Sequence, residues 1–249
     1  MAHQIEALPP LERTGNRKTA VDVYEALQKS ILLGKLKPGT ILSQVEVARA
    51  YDVSRTPVRE AMRMLQEGGL LTGEPNYRCR VVGFDPVDIE ALYMKRIAME
   101  AMAVSLTTSL MTPALAEQLS DTVQQLESEK AHSDFESWRT LHRKFHHLIV
   151  SLGGTTLVDE LGNLELLSAR YQSASKGAHL PGWWQRGEAE HRALYDAISA
   201  RNVAKSGELA ARHLARTALE LLAALAPEHD SSRLRASLKY AIAGSGGLA

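Results

Sequence analysis

With one cysteine, Cys79, the chain can form no internal disulfide and has no cysteine pair for a zinc knuckle, so its fold must rest on packing in a reducing setting. Aromatic residues are scarce at 5%, and the abundance of Leu and Ala favours helix over sheet. No run of about 18 uncharged apolar residues occurs. The first twenty residues lack the charged-then-apolar order of a signal peptide, so a cytoplasmic protein with no membrane partner is expected. Net charge is lacking too: 29 basic residues balance 29 acidic ones, and the total gives no hint of a nucleic-acid partner. Only the distribution is uneven, slightly basic in the first third and slightly acidic after it. What is present is apolar mass. Hydrophobic residues are 45% of 249, enough for the core of one large domain or two ordinary ones.

Residues 1–18 combine Pro9, Pro10 and Gly15 with Arg13, Arg17 and Lys18 but show no helical period, and they predict a flexible arm. From Thr19, the apolar positions Val23, Leu27 and Ile31 recur at helical spacing until Gly34, Pro38 and Gly39 intervene. Ser43 is placed to cap a short helix, QVEVARAY, and Asp52 with Ser54 marks a tight turn before TPVREAMRMLQEGG. Pro57 suits the first turn of that third helix, and Gly68 with Gly69 ends it. LLTGEP and YRCRVVGF then read as two strands of a hairpin turning around Pro75 and Asn76. The first domain is therefore expected over 19–84, a winged helix-turn-helix whose wing is the small β-hairpin. Residues 85–226 carry six helical stretches and predict an all-α bundle, and 227–249 reads as a weakly periodic tail, partly disordered. The fold class is mostly α in two domains.

On the third helix, Val58, Ala61, Met62 and Leu65 keep the spacing of a buried face. Arg55, Arg59 and Arg63, four apart, form a separate stripe. Taken alone, such a stripe is an ordinary solvated basic face or a phosphate- and guanine-reading edge, with Ser54 and Thr56 at the helix start able to donate to phosphate. Context favours the second. KPGT followed by VSRTPVREAMRML, within a stretch running from VYEALQKS to YRCRVV, resembles the DNA-binding domain of the GntR family of bacterial regulators. The resemblance implies that Arg55, Thr56 and Arg59 contact double-stranded operator DNA. The chain departs from the family at Gln44 and Val45, where an acidic-then-basic pair is usual. It departs again at the wing tip, where Arg78 replaces a glycine and could instead reach a minor-groove phosphate.

LYMKRIAME, LHRKFHHLIVSLGG, EHRALYDAISARN and ARHL follow in an order that resembles the FCD effector domain of the FadR subfamily. Such domains commonly hold a divalent metal with an aspartate and three histidines, beside which small carboxylates bind. Carried over by position, the ligands are His142, His146, His191 and His213, with His142 standing where the aspartate is expected. The pattern of the helix agrees: Leu141, Phe145, Leu148 and Leu152 form its core stripe, His142 and His146 border that stripe, and His147 lies farther round. Four neutral imidazoles favour zinc or nickel over manganese or magnesium. The alternative is that His142 marks loss of the metal, leaving an organic pocket lined by histidines. Arg96 and Glu100 match a recurrent pair in the first helix of such domains, and Arg96 is either salt-bridged to Glu100 or poised to clamp a ligand carboxylate. Arg170 and Tyr171 are weaker pocket candidates, and Trp183 and Trp184 are expected to seal a helix junction.

The function so implied is a homodimeric DNA-binding transcriptional regulator, most simply a repressor, cytoplasmic and nucleoid-associated when bound. A small-molecule effector, an organic acid, would control it from beside a zinc or nickel ion. One alternative is a metal-responsive regulator with no organic effector. A metal-dependent hydrolase is the remote one, disfavoured because four protein ligands tend to close a coordination shell and no general base accompanies them.

Overall fold

The computed structural model describes residues 8, 11, 19–32, 34–128, 135–174 and 183–245. Backbone alone is described at 32, 135–136, 170, 172–174, 183–185 and 244–245. The chain divides into two compact units. The first opens with α1 (Ala20–Leu32), whose entry is fixed by a reciprocal cap: Asp22 accepts from the backbone N–H and the hydroxyl of Thr19, and the Asp22 N–H donates back to that hydroxyl. Then come β1 (Ile41–Ser43), α2 (Gln44–Tyr51), α3 (Arg55–Glu67), β2 (Leu71–Glu74) and β3 (Arg78–Val81). Ser43 and Ser54 occupy the N-cap positions of α2 and α3 with extended backbone, but neither side chain makes the capping bond.

The wing has one strand more than the hairpin expected from sequence. β1 pairs antiparallel with β3, Leu42 opposite Cys79, giving the order β1-β3-β2. Three residues are too short for a period-2 pattern to show. The turn spares Arg78 a left-handed backbone. Glu74 pairs with Arg78, so Arg78 is an ordinary extended strand residue, and positive φ falls on Asn76 (61°) and Tyr77 (58°) instead. One core serves the unit: Leu27, Leu36, Leu42, Val47, Met62, Leu65 and Leu70 are buried in it, with Cys79 and Val81 facing inward from β3. Leu8 and Leu11, the described members of the expected arm, rest partly buried against this core; the rest of 1–18 lies outside the described residues.

The second unit is helical: α4 (Pro86–Ser109), α5 (Pro113–Ser128), α6 (Phe135–Val150), α7 (Thr155–Ala174), α8 (Trp183–Ser199), α9 (Val203–Leu225) and α10 (Ser232–Ser245). α4 and α9 pack closely because small residues meet there. Gly207 lies against the Ala101 carbonyl and the Ser105 hydroxyl, and the Thr108 and Ser206 hydroxyls are 2.9 Å apart. α10 overturns the expectation of a partly disordered tail for its own residues. Leu234 is fully buried, and the buried Glu90 of α4 accepts from the Leu234 N–H at 3.1 Å, satisfying an orphan donor of the helix start. From Leu166 onward α7 clusters with the first unit, where Leu166 and Ala169 lie against the core. Among the described residues no helix is long and apolar enough to cross a membrane.

Candidate functional site

On α3 the buried residues Val58, Ala61, Met62 and Leu65 tie the helix to its unit and turn the opposite face outward. Ser54, Arg55, Thr56, Arg59 and Arg63 are all exposed on it, as is Arg78 on the wing. The Ser54 hydroxyl makes no cap bond, so it is not consumed by the helix it starts. Arg63 pairs loosely with Glu67 at 3.5 Å in full solvent, an interaction of little energy. Arg55 stands over the Tyr77 ring, 5.3 Å from its centre, so the wing tip and the helix start support each other through a cation–π contact. Sequence reasoning missed Tyr77. Its aromatic type beside Asn76 in the turn was a signal, but the contact across the fold was not.

In the second unit four imidazoles converge from three helices: His142 and His146 from α6, one turn apart, His191 from α8 and His213 from α9. One nitrogen from each lies within 4.8 Å of the others, and the Nε2 atoms of His142 and His146 are 3.2 Å apart. Zinc at about 2.0–2.1 Å from four nitrogens holds them roughly 3.3–3.4 Å apart, so the set is gathered close to what an ion needs. Burial and then neighbouring cations depress these groups. His142 is pushed down to about 3 by desolvation, with His213 and Arg96 adding to it. His146 and His191 are likewise held well below the ordinary histidine range, first by desolvation. They are therefore neutral at neutral pH, the form that ligates metal. Two buried nitrogens, His146 Nδ1 and His191 Nε2, have no hydrogen-bond partner among the described residues. His146 already turns Nε2 toward His142, so its Nδ1 is the outer nitrogen of that ring, whereas an unpartnered buried imidazole nitrogen such as His191 Nε2 is one that an ion could satisfy. Four convergent imidazoles fit a zinc- or nickel-like ion.

The surroundings fix the rings. Trp138, one turn before His142, stacks on it at 4.6 Å, and Phe145 meets His191 edge-on at 5.1 Å. Sequence reasoning passed over Trp138, although its spacing of four from His142 on one helix was visible. His147 is exposed. Arg96 and Glu100, both buried on α4, form an ion pair of 2.6 Å, so of the two readings left open for Arg96 the salt bridge is present. Burial works to lower the guanidinium, but Glu100, Tyr93 and Glu165 together raise it, and it stays charged. Arg96, Glu100 and His146 line one small cavity with Val158, Leu161 and Glu165. Its volume is about 20 Å³, room for a single water. Glu165, absent from the sequence candidates, has its carboxyl pushed up by desolvation, against the pull of Arg96 and Arg143.

Tyr171 is not at this cavity. It is buried in the first unit, 5.6 Å from the Phe84 ring, which corrects its expected place in an effector pocket. The hydrophobic period of α7 could not tell which unit its later turns serve. The side chains of Arg170, Trp183 and Trp184 lie outside the described residues.

The family follows from comparison with known proteins. Residues 19–81 match the family described as bacterial regulatory proteins, gntR family, and residues 91–216 match the FCD domain. The chain belongs to the GntR family and carries an FCD domain; it is a DNA-binding transcriptional regulator. It is 36% identical over 131 residues to the HTH-type transcriptional regulator YdhC of Bacillus subtilis (strain 168), a match covering 51% of this chain and 57% of that protein, little more than half of the relative's length. It is 26% identical over 145 residues to the gluconate operon transcriptional repressor of the same organism, covering 58% of this chain and 59% of the repressor. Among solved structures, a GntR regulator of Rhodococcus sp. RHA1 superimposes with a TM-score of 0.68 at 26% identity, covering 82% of this chain and 98% of the other. E. coli McbR/YncC does so with a TM-score of 0.71 at 21% identity, covering 82% and 97%, which shows the shared fold.

Proposed function

We propose that this regulator is a cytoplasmic homodimeric repressor whose grip on operator DNA weakens when a small organic acid enters the FCD domain beside a zinc or nickel ion held by His142, His146, His191 and His213. The observation that carries this reading is the adjacency of four convergent imidazoles, one of them His146, to a cavity lined by the charged Arg96. The metal, when bound, would supply Lewis-acidic attraction for carboxylate oxygens. Arg96 would orient the acid by a charge-assisted hydrogen bond while Glu100 keeps the guanidinium in place. Four protein nitrogens would fill a tetrahedral ion and keep no position for a hydrolytic water, so a carboxylate oxygen would join only by expanding the shell to five, which suits sensing better than hydrolysis. Ser54, Arg55, Thr56, Arg59, Arg63 and Arg78 would contact the operator. A coupling of about 1–3 kcal/mol between the two sites changes DNA affinity by roughly 5- to 150-fold.

The size of the cavity supports a second reading, a metal-responsive regulator without an organic effector. Room for one water means that an acid must open the site, whereas an ion need not. Operator DNA selected by the protein from a random pool separates the two. Binding is measured by fluorescence anisotropy on metal-stripped, zinc-loaded and nickel-loaded protein, each with and without a panel of small carboxylates. The first reading expects a carboxylate to weaken binding only in loaded protein; the second expects affinity to follow metal alone. Failure of the wild type to take up either metal would sink both.

A further inference from the structure

We infer that Glu190 is the residue that sets His213 as a metal ligand, by holding a proton on its Nδ1 and so turning the Nε2 lone pair toward the other three histidines; this rests on the metal reading above. Glu190 precedes His191 on α8, yet its carboxylate reaches across to α9, where it accepts from His213 Nδ1 at 2.7 Å. Among the described residues His213 is the member of the quartet with a carboxylate in hydrogen-bond reach. The nearest approach at His146 is Glu100 Oε2 at 4.0 Å, beyond bonding distance. A neutral imidazole has one N–H and one lone pair, and a carboxylate accepts only, so the contact at Nδ1 settles which nitrogen is which.

The carboxylate is itself fixed. Arg216 donates to both its oxygens, Nε at 2.5 Å and Nη2 at 2.7 Å, and Arg216 Nη1 donates to Glu220 at 2.7 Å. Arg186 closes the row on Glu220 at 3.3 Å. Two carboxylates and two guanidiniums leave this row with no net charge, so its action on the histidines is local. It orients one ring and selects one tautomer rather than supplying the negative charge that His142 lacks. Glu190 is thus a positioning residue, and outer carboxylates of this kind commonly govern metal affinity 10- to 100-fold.

The test uses full-length protein labelled with nitrogen-15 at histidine. In metal-free wild type the His213 ring should show its proton on Nδ1. Glu190→Ala should lose that preference, and its zinc Kd, read by competition with a chromophoric chelator, should rise about 10- to 100-fold. Glu190→Gln, whose amide oxygen can still accept from Nδ1–H, should recover most of the affinity and the tautomer. A residue that merely joined α8 to α9 would shift melting temperature and leave the tautomer alone. Zinc affinity unchanged in Glu190→Ala, or a wild-type His213 protonated on Nε2, overturns the inference while the metal reading stands; a wild type that binds no zinc overturns both.

Discussion

Arg59 sits in the middle of the exposed α3 stripe, between Arg55, which the Tyr77 ring steadies, and Arg63, which Glu67 partly occupies. Arg59→Ala should therefore cost operator affinity about 1–3 kcal/mol without touching the fold, whereas Arg63→Ala should act as loss of one phosphate contact, lowering the salt slope by about one. Anisotropy titrations over a range of salt distinguish them, and equal losses in both variants would contradict the ranking. Tyr51 carries a prediction of a different kind. Its ring is buried in the first unit and desolvation pushes its hydroxyl up to about 12. The folded state prefers the neutral phenol, so this contribution to stability is intact below pH 10 and is lost as pH rises from about 10 toward 12, in all roughly 2–3 kcal/mol. Tyr51→Phe lacks the titrating group. Compared by denaturant unfolding, wild type should lose ground to the variant steadily above pH 10, and a difference that stays constant with pH would refute it. At this scale the four histidines were legible because two lie a turn apart and the others fall in motifs that resemble a family. Glu190, Glu165 and Trp138 were not named, since what gives the first two their roles is a neighbour on another helix.

Helix boundaries are set by local chemistry, and local chemistry is what a sequence displays. The six helical stretches expected over 85–226 have their counterparts, in number and order, in α4 to α9, because prolines, glycines and capping groups stand at their ends. Where an element depends on a distant partner it was hidden. α10 buries Leu234 but leaves Tyr240 almost fully exposed, so its apolar face is narrow, and its first turn is satisfied by Glu90 from far earlier in the chain. β1 is likewise defined by pairing with β3 rather than by its own three residues. The same dependence on a partner makes Gly207 informative. A Cβ there would lie 2.4 Å from the Ser105 hydroxyl oxygen and 3.1 Å from the Ala101 carbonyl oxygen. The hydroxyl can rotate away, but the carbonyl belongs to α4. Gly207→Ala gains about 1 kcal/mol of helix propensity against this crowding and should come out near neutral. Gly207→Val has no such compensation and should destabilise by about 1–3 kcal/mol, as overpacking does. Thermal unfolding of the pair checks this, and a stable Val variant would mean that α4 and α9 can separate at little cost.

For the whole molecule the balanced charge matters most, since a chain with as many acids as bases has no general attraction for DNA and depends on a local patch. One such patch, a helix with three arginines, makes few phosphate contacts, so in the proposed homodimer affinity would come from joining two reading heads on one operator. A surface suited to that joining lies along the last turns of α4 and the residue that follows it. Met102, Leu106 and Leu110 recur every four residues and are 52%, 40% and 57% exposed, an apolar stripe that two antiparallel copies of the same helix would cover mutually, as a two-fold interface requires. Charge placed in the middle of it should separate the copies while leaving each one folded, because Leu106 contributes little to its own core. Leu106→Glu is thus expected to sediment as a monomer of 27.3 kDa with a melting temperature near that of wild-type protein at low concentration. Its operator affinity should fall toward that of a single head, with a correspondingly shallower dependence on salt. A variant that still sediments as a dimer would place the interface elsewhere. One that becomes monomeric yet keeps full affinity would show that a single head suffices, and the two-headed account of recognition would have to be given up.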